Sequence, residues 1–167
     1  MQFSFGGTRT GANPWGTRVL ARELEANSQV FFMLSIIWAC VASHTGFSIE
    51  NPKCSVLWKV PQVAALLSLD FVSDLSLDMC AFGLRSPKGV EPIQFYKKPT
   101  RIVGTFLMGH HLCRHCPKTH AHGSLGRQEA FHLPCGTRVL KSQAAGVYPP
   151  AFCRAFVRAL GSNRASC

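Results

Sequence analysis

Apolar residues recur at three-, four- and seven-residue spacings from Leu20 to Val41, through Leu24, Phe31, Leu34 and Trp38. That rhythm predicts a helix over about Thr17–His44. Its first half is amphipathic. Its second half is apolar nearly all round, which predicts an end buried between other elements, with Phe31, Leu34 and Trp38 covered. Gly46 is expected to stop it. Phe47-Ser48-Ile49-Glu50 then reads as a short strand closed by an Asn51-Pro52 turn, and Pro61 to Ser68 as a short helix with proline in its first turn. Val72 to Cys80 alternates well enough for a second strand, with Leu75, Leu77 and Met79 on one face. Gly83, Pro87, Gly89, Pro92 and Pro99 make Ala81–Pro99 a long loop. Thr100 to Phe106 is a third strand. Gly109 to Gly136 reads as loop, and a last helix runs from Pro149-Pro150 to about Leu160 with Phe152, Phe156 and Leu160 on one face.

Helix, strand, helix, strand, strand and helix in that order predict an α/β fold, a mixed sheet with helices on its faces. Only half of a doubly wound fold is present. The expected organisation is an irregular lead-in over 1–16, one α/β domain over 17–160 with a Cys/His-rich loop at 107–136, and a tail over 161–167. A length of 167 residues suits one domain. With 47% hydrophobic and 16% charged residues the chain is too apolar and too weakly charged to be disordered.

Charge adds a class of partner. Lys and Arg number 18 against 8 Asp and Glu, a formal charge of +10. Such a surplus favours polyanions, nucleic acid or an anionic membrane surface, and contact with DNA is expected to be weak, sequence-indifferent and lost with salt. Val30 to Ala42 is an apolar run of thirteen residues broken only by Ser35. A bilayer span needs roughly 20, so a buried core helix is expected and not a membrane anchor. Arg18 and Arg22 precede the run as they would in a secretory signal, but Glu23, Glu25 and Asn27 oppose that reading. The eight cysteines are then intracellular thiols or metal ligands, in cytoplasm or nucleus.

Two groups of residues could carry chemistry. Glu50 and Asn51, at the end of a strand, would project where open α/β sheets bind ligands. A glutamate there can hydrogen-bond a base edge or donate a proton to a ring nitrogen. The second group is His110, His111, Cys113, His115, Cys116, His120 and His122, with His132 and Cys135 beyond. Cys113-Arg114-His115-Cys116 offers two thiolates to one tetrahedral ion, and His120 or His122 with Cys135 could close a zinc set. Arg114, Lys118 and Arg127 nearby would help metal loading. The spacing matches no standard finger. Lys97, Lys98 and Arg101 could hold phosphates, while Trp15, Trp38 and Trp58 are expected as packing residues.

The order of Asn13-Pro14-Trp15-Gly16, the long helix, Phe47-Ser48-Ile49-Glu50-Asn51-Pro52, Ser55, Leu57-Trp58, Asp78-Met79-Cys80-Ala81-Phe82-Gly83, Lys97-Lys98-Pro99-Thr100-Arg101, the Cys/His segment and Ala144-Ala145-Gly146-Val147-Tyr148-Pro149 resembles a methyltransferase-like domain of eukaryotic mobile-element polyproteins. That domain is similar in turn to the later half of cytosine-5 DNA methyltransferases. The resemblance implies a partial Rossmann-like sheet lacking its N-terminal cofactor half. It implies Glu50 as the base-contacting carboxylate, Asn51 as its positioning partner and Arg101 on a diverged Arg-rich strand. Phe5-Gly6-Gly7 is the only echo of the turn that would hold S-adenosylmethionine. The only Pro-Cys pair, Pro134-Cys135, follows the Glu-Asn box where those enzymes place it before. The expected protein is therefore a partial methyltransferase-like domain, inactive alone, whose cofactor would require the missing half. In such a fragment Glu50 would stand solvated at an open gap. The alternatives are a small zinc-stabilised nucleic-acid-binding module with Cys113, Cys116, His120 and Cys135 as ligands, or a globular fragment with no specific partner.

Overall fold

Helix α1 occupies Ala21–Ala42, four residues later at its start than the spacing predicts. The computed structural model describes residues 7–105, 111–126 and 129–162. Phe5, Gly6, Phe106, Gly109, His110, Arg127 and the tail from Asn163 lie outside that set. After α1 come β1 (Ser48–Pro52), a 3-10 turn (Val56–Lys59), α2 (Pro61–Leu67), β2 (Ser73–Asp78), a second 3-10 turn (Met79–Phe82), β3 (Pro99–Gly104), β4 (Ala130–His132), β5 (Arg138–Leu140), α3 (Lys141–Ala144) and α4 (Pro150–Ser162). The three predicted strands share one sheet in the order β1-β3-β2, and β4 pairs with β5 in another. The protein is thus mixed α/β with small sheets. The chain forms two compact units. The first holds the chain to Asp74 and 101–106, the second Leu75–Thr100 and the chain from 107 onward.

In the first unit α1 buries a stripe of Glu23, Asn27, Val30, Leu34 and Ile37, spaced alternately four and three apart, one face of a helix. Val30, Leu34 and Ile37 meet Phe47 and Ile49 of β1, Leu57 and Trp58 of the 3-10 turn, Val63 and Leu66 of α2, and Val103 of β3. Fully burying each such aliphatic side chain is worth about 1.5–3 kcal/mol. The predicted burial of Phe31 and Trp38 does not occur: they are 50% and 43% exposed. The apolar band on α1 is wider than the face that its own core covers, and Phe31 instead stacks on Trp15 at 4.7 Å. By length and composition alone α1 could also cross a membrane, but its Val30-Leu34-Ile37 stripe is committed to the core.

His44, not Gly46, ends the helix. It takes the left-handed conformation, with His44 N–H on the Val41 carbonyl and Thr45 N–H on the Cys40 carbonyl, which caps the last free acceptors.

The described part of the lead-in, residues 7–16, is irregular, as expected, but firmly held. Thr8 donates its backbone N–H and its hydroxyl to the Glu23 carboxylate, and Arg9 donates to the Glu23 carbonyl and to Asn27 Oδ1. The Asn27 amide donates to the Trp15 carbonyl at 3.1 Å. These bonds explain how a carboxylate and an amide sit in a buried stripe. Burial pushes the Glu23 carboxyl up, but the Thr8 hydrogen bonds and the Arg9 charge outweigh it and hold it below its ordinary value. Gly16 closes the approach. It has a positive φ of 70°, and a Cβ there would come within 2.7 Å of Glu23.

In the second unit the core is Leu77, Met79, Phe82, Leu84, Tyr96, Leu112, Phe131 and Phe152. Ala81–Pro99 is a loop with order in it: Arg85 bridges Phe95, and Phe95 bridges His122. The predicted 107–136 loop also ends differently, as the antiparallel hairpin β4–β5 with Phe131 opposite Val139. Three-residue strands are too short for alternation to announce them. Helix α4 buries Phe152, Ala155 and Ala159, whereas Leu160 is 42% exposed.

A carboxyl held below its unfolded value of 4.5 adds stability that is complete above that value and lost as the pH falls through the native one. Urea melts should therefore show acid loss of stability below pH 4.5 that Glu23→Gln reduces. Gly16→Ala, strained and crowded, should cost about 1–3 kcal/mol in the same assay.

Candidate metal centre

Strand β2 ends by delivering Asp78 and then, one turn on, Cys80 into the interior of the second unit. Asp78 is 7% exposed and Cys80 4%. Asp78 holds the Cys/His segment against that strand end. Its N–H donates to the Arg114 carbonyl and its Oδ2 accepts from the Cys116 N–H, both at 2.9 Å. With Cys116 so anchored, the chain turns at Lys118, whose N–H donates to Cys116 Sγ at 3.3 Å, and returns as His120 and His122. Gly123 then packs on the strand-like Gln94–Tyr96 segment, with its N–H on the Phe95 carbonyl at 2.8 Å. A Cβ at Gly123 would lie 2.6 Å from Gln94 and 2.9 Å from Tyr96, so only glycine lets His122 come this close.

The result is a cluster of four donors, Cys80, Cys116, His120 and His122, whose ligand atoms all lie within 4.8 Å of one another. His122 Nε2 is 3.4 Å from both Cys80 Sγ and Cys116 Sγ, and Cys116 Sγ is 3.8 Å from His120 Nε2. Zinc bonds of ~2.3 Å to sulfur and ~2.0 Å to nitrogen at tetrahedral angles would space neighbouring donors roughly 3.3–3.8 Å apart. Three of the spacings already fit, and the widest would have to close by about 1 Å. The donor types fit as well, two soft thiolates and two imidazoles. Four protein ligands leave no open position, which is the form of a structural site and not a hydrolytic one. A cavity of about 520 Å³ beside Cys80, Cys113 and His120 gives an ion a way in. Burial pushes the Cys80 thiol up to about 12, helped by its hydrogen bond to Cys116 and by the Cys116 and Asp78 charges. A metal would replace that proton.

Of the predicted zinc ligands the structure brings together Cys116 and His120. It does not bring in Cys113 or Cys135. Cys113 is exposed on the rim of the adjoining cavity. Cys135 is exposed in the β4–β5 turn, where hydrogen bonding to Thr137 lowers its thiol. Their places are taken by His122, an alternative to His120 in the sequence pattern, and by Cys80, 36 residues before Cys116 in the chain. Cys80 carries no local spacing signal at all. Its only mark in the sequence is its position at the end of an apolar strand.

The other predicted site lies in the first unit. Glu50 is half-buried with its Oε1 withdrawn from solvent, not solvated at an open gap. Asn51 is 3% exposed, and its Oδ1 has no hydrogen-bond partner among the described residues. The turn after it is locked by the Trp58 indole N–H, which donates to the Pro52 carbonyl at 2.9 Å. Arg101 grips Asp74 through two hydrogen bonds of 2.8 and 2.5 Å and lies over the Trp58 ring at 4.9 Å. The bond to Asp74 raises its already high pKa. Lys98 donates to the Ala145 carbonyl at 3.0 Å. Of the three cations expected to hold phosphates, Arg101 and Lys98 are thus engaged within the protein.

Comparison with protein-family models, with curated proteins and with solved structures finds no match for this chain.

Protein purified with zinc and without chelator should carry about one ion per chain. Elemental analysis should show that Cys80→Ser and His122→Ala lose it, whereas Cys113→Ser and Cys135→Ser keep it. Loss of the ion should lower stability by about 3 kcal/mol or more, roughly 6–12 °C in Tm.

Proposed function

We propose that the second unit is a zinc-stabilised module that binds nucleic acid through charge. The observation that carries this reading is the four-donor cluster of Cys80, Cys116, His120 and His122, a closed ligand set that suits a structural ion. The nucleic-acid half of the reading draws support from where the charge lies. Over its residue ranges the second unit holds twelve Lys and Arg against Asp78, Glu91 and Glu129, a net of +9. The first holds six against five, a net of +1. Nearly the whole surplus therefore belongs to the unit with the donor cluster. Two of its three acids are already occupied, Asp78 by the Cys116 backbone and Glu129 by Lys141 at 2.6 Å. A field of one sign over one unit attracts a polyanion and gives it no sequence preference.

A second reading retains the methyltransferase-like resemblance, with a Rossmann-like sheet whose cofactor half lies elsewhere. The observation favouring it is the buried, unsatisfied Oδ1 of Asn51 beside Glu50 at the end of β1, since an orphaned buried acceptor calls for an explanation. In that reading Arg101 would have to leave Asp74 to steady a base, which costs it a bidentate pair. The chain alone is then a non-catalytic remnant.

The two readings part on where binding resides. A labelled duplex titrated across a salt series should bind at low salt and lose about 10³-fold or more between 50 and 200 mM. Chelation, which unfolds the zinc-held segment, should weaken binding about 10-fold or more, and Glu50→Ala should leave it unchanged. Binding that resists salt and is lost in Glu50→Ala would favour the second reading instead, whereas heat on titrating S-adenosylmethionine into this chain alone would overturn its missing cofactor half.

A further inference from the structure

The second unit contains an apolar groove of about 620 Å³ that neither the metal cluster nor the overall charge accounts for. Phe82, Leu84, Phe95 and Tyr148 line it, with Arg85 and Arg154 also on its wall. Tyr148 is 39% exposed, and Phe152 backs its ring at 5.2 Å. Lys98 Nζ lies 5.3 Å from the centre of the same ring. Arg85 and Arg154 are exposed, and no carboxylate among the described residues takes either guanidinium.

We infer that this groove takes unpaired nucleobases of a single-stranded nucleic acid, with Tyr148 as the stacking platform and Arg85 and Arg154 on the flanking phosphates. The inference rests on the reading of this unit as a nucleic-acid-binding module and names its substrate class. A groove of apolar and aromatic side chains rimmed by arginines matches a strand whose flat bases and charged backbone alternate every few ångströms. A duplex keeps its base faces stacked inside and can offer only phosphate. A fatty carboxylate would use the apolar wall and one cation, leaving the rest of a +9 unit unexplained.

The metal cluster and the groove also share a backbone. Phe95 bridges Arg85 on one side and His122 on the other, and its ring lies 4.4 Å from that of His120. A bound ion would fix the strand that carries the groove's aromatic wall, so its loss should reach the base site.

The test is fluorescence anisotropy on the zinc-loaded full chain, with a labelled oligothymidine and a duplex of equal length at low salt. The single strand should bind about 10-fold tighter or more. Tyr148→Ala should weaken it roughly 5- to 150-fold and leave the duplex unaffected, and Tyr148→Phe should restore it because stacking needs the ring and not the hydroxyl. Zinc content and circular dichroism establish that the variant is folded. If Tyr148→Ala loses its zinc, Arg85→Gln with Arg154→Gln carries the test through a lower salt slope on the single strand. Equal binding of strand and duplex, or equal loss on both in Tyr148→Ala, overturns the groove assignment while leaving the charge-driven reading intact. No binding of either probe overturns both. A fluorescent fatty acid that fills the groove and is lost in Tyr148→Ala would reassign it to a lipid anion.

Discussion

The second unit depends on Asp78. Its backbone N–H and its carboxylate together pin Arg114 and Cys116 to the end of β2, and a buried carboxylate is tolerated there because it accepts a backbone donor. This clamp sets Cys116 beside Cys80 and starts the turn that returns His120 and His122. Without it the Cys/His segment would be a loop of unconnected ligands.

The first unit is built on a different constraint. One helix buries a stripe in which two polar residues, Glu23 and Asn27, precede three aliphatic ones. The lead-in supplies hydrogen bonds to the polar pair, and the sheet and α2 supply contacts to the aliphatic ones. Phe32 and Ile36 remain 69% and 48% exposed on the same helix, a reminder that apolar content of a helix and burial are different quantities.

Charge, metal donors and the apolar groove converge on one unit, and the Glu50-Asn51-Pro52 box lies in the other. That separation weighs the functional reading towards the Cys/His unit. Arg101 illustrates the point. Its bidentate bond to Asp74 and its stacking on Trp58 give it a complete structural role in a unit of almost no net charge.

Periodicity in the sequence by itself determined the long helix, α4 and the strand that ends at Asp78, because each has a run long enough to express its own repeat, while turn and proline signals marked β1 and α2. Composition determined the cationic surplus. The start of the Cys/His site was legible in Cys116, read as one half of a pair with Cys113, and in His120 or His122 as its closing ligands. Tertiary structure decided the rest. Which face of α1 is buried depends on what packs against it, and its apolar pattern is nearly isotropic where Phe31 and Trp38 sit. Cys80 joins Cys116 only because Asp78 ties two distant segments together, and a contact over 36 residues leaves no trace in local spacing. The hairpin β4–β5 is too short to show alternation, and Glu50 is shielded by neighbours that only the folded chain brings near. Local patterns record what a segment can do alone, and the site is made of what separate segments do to one another.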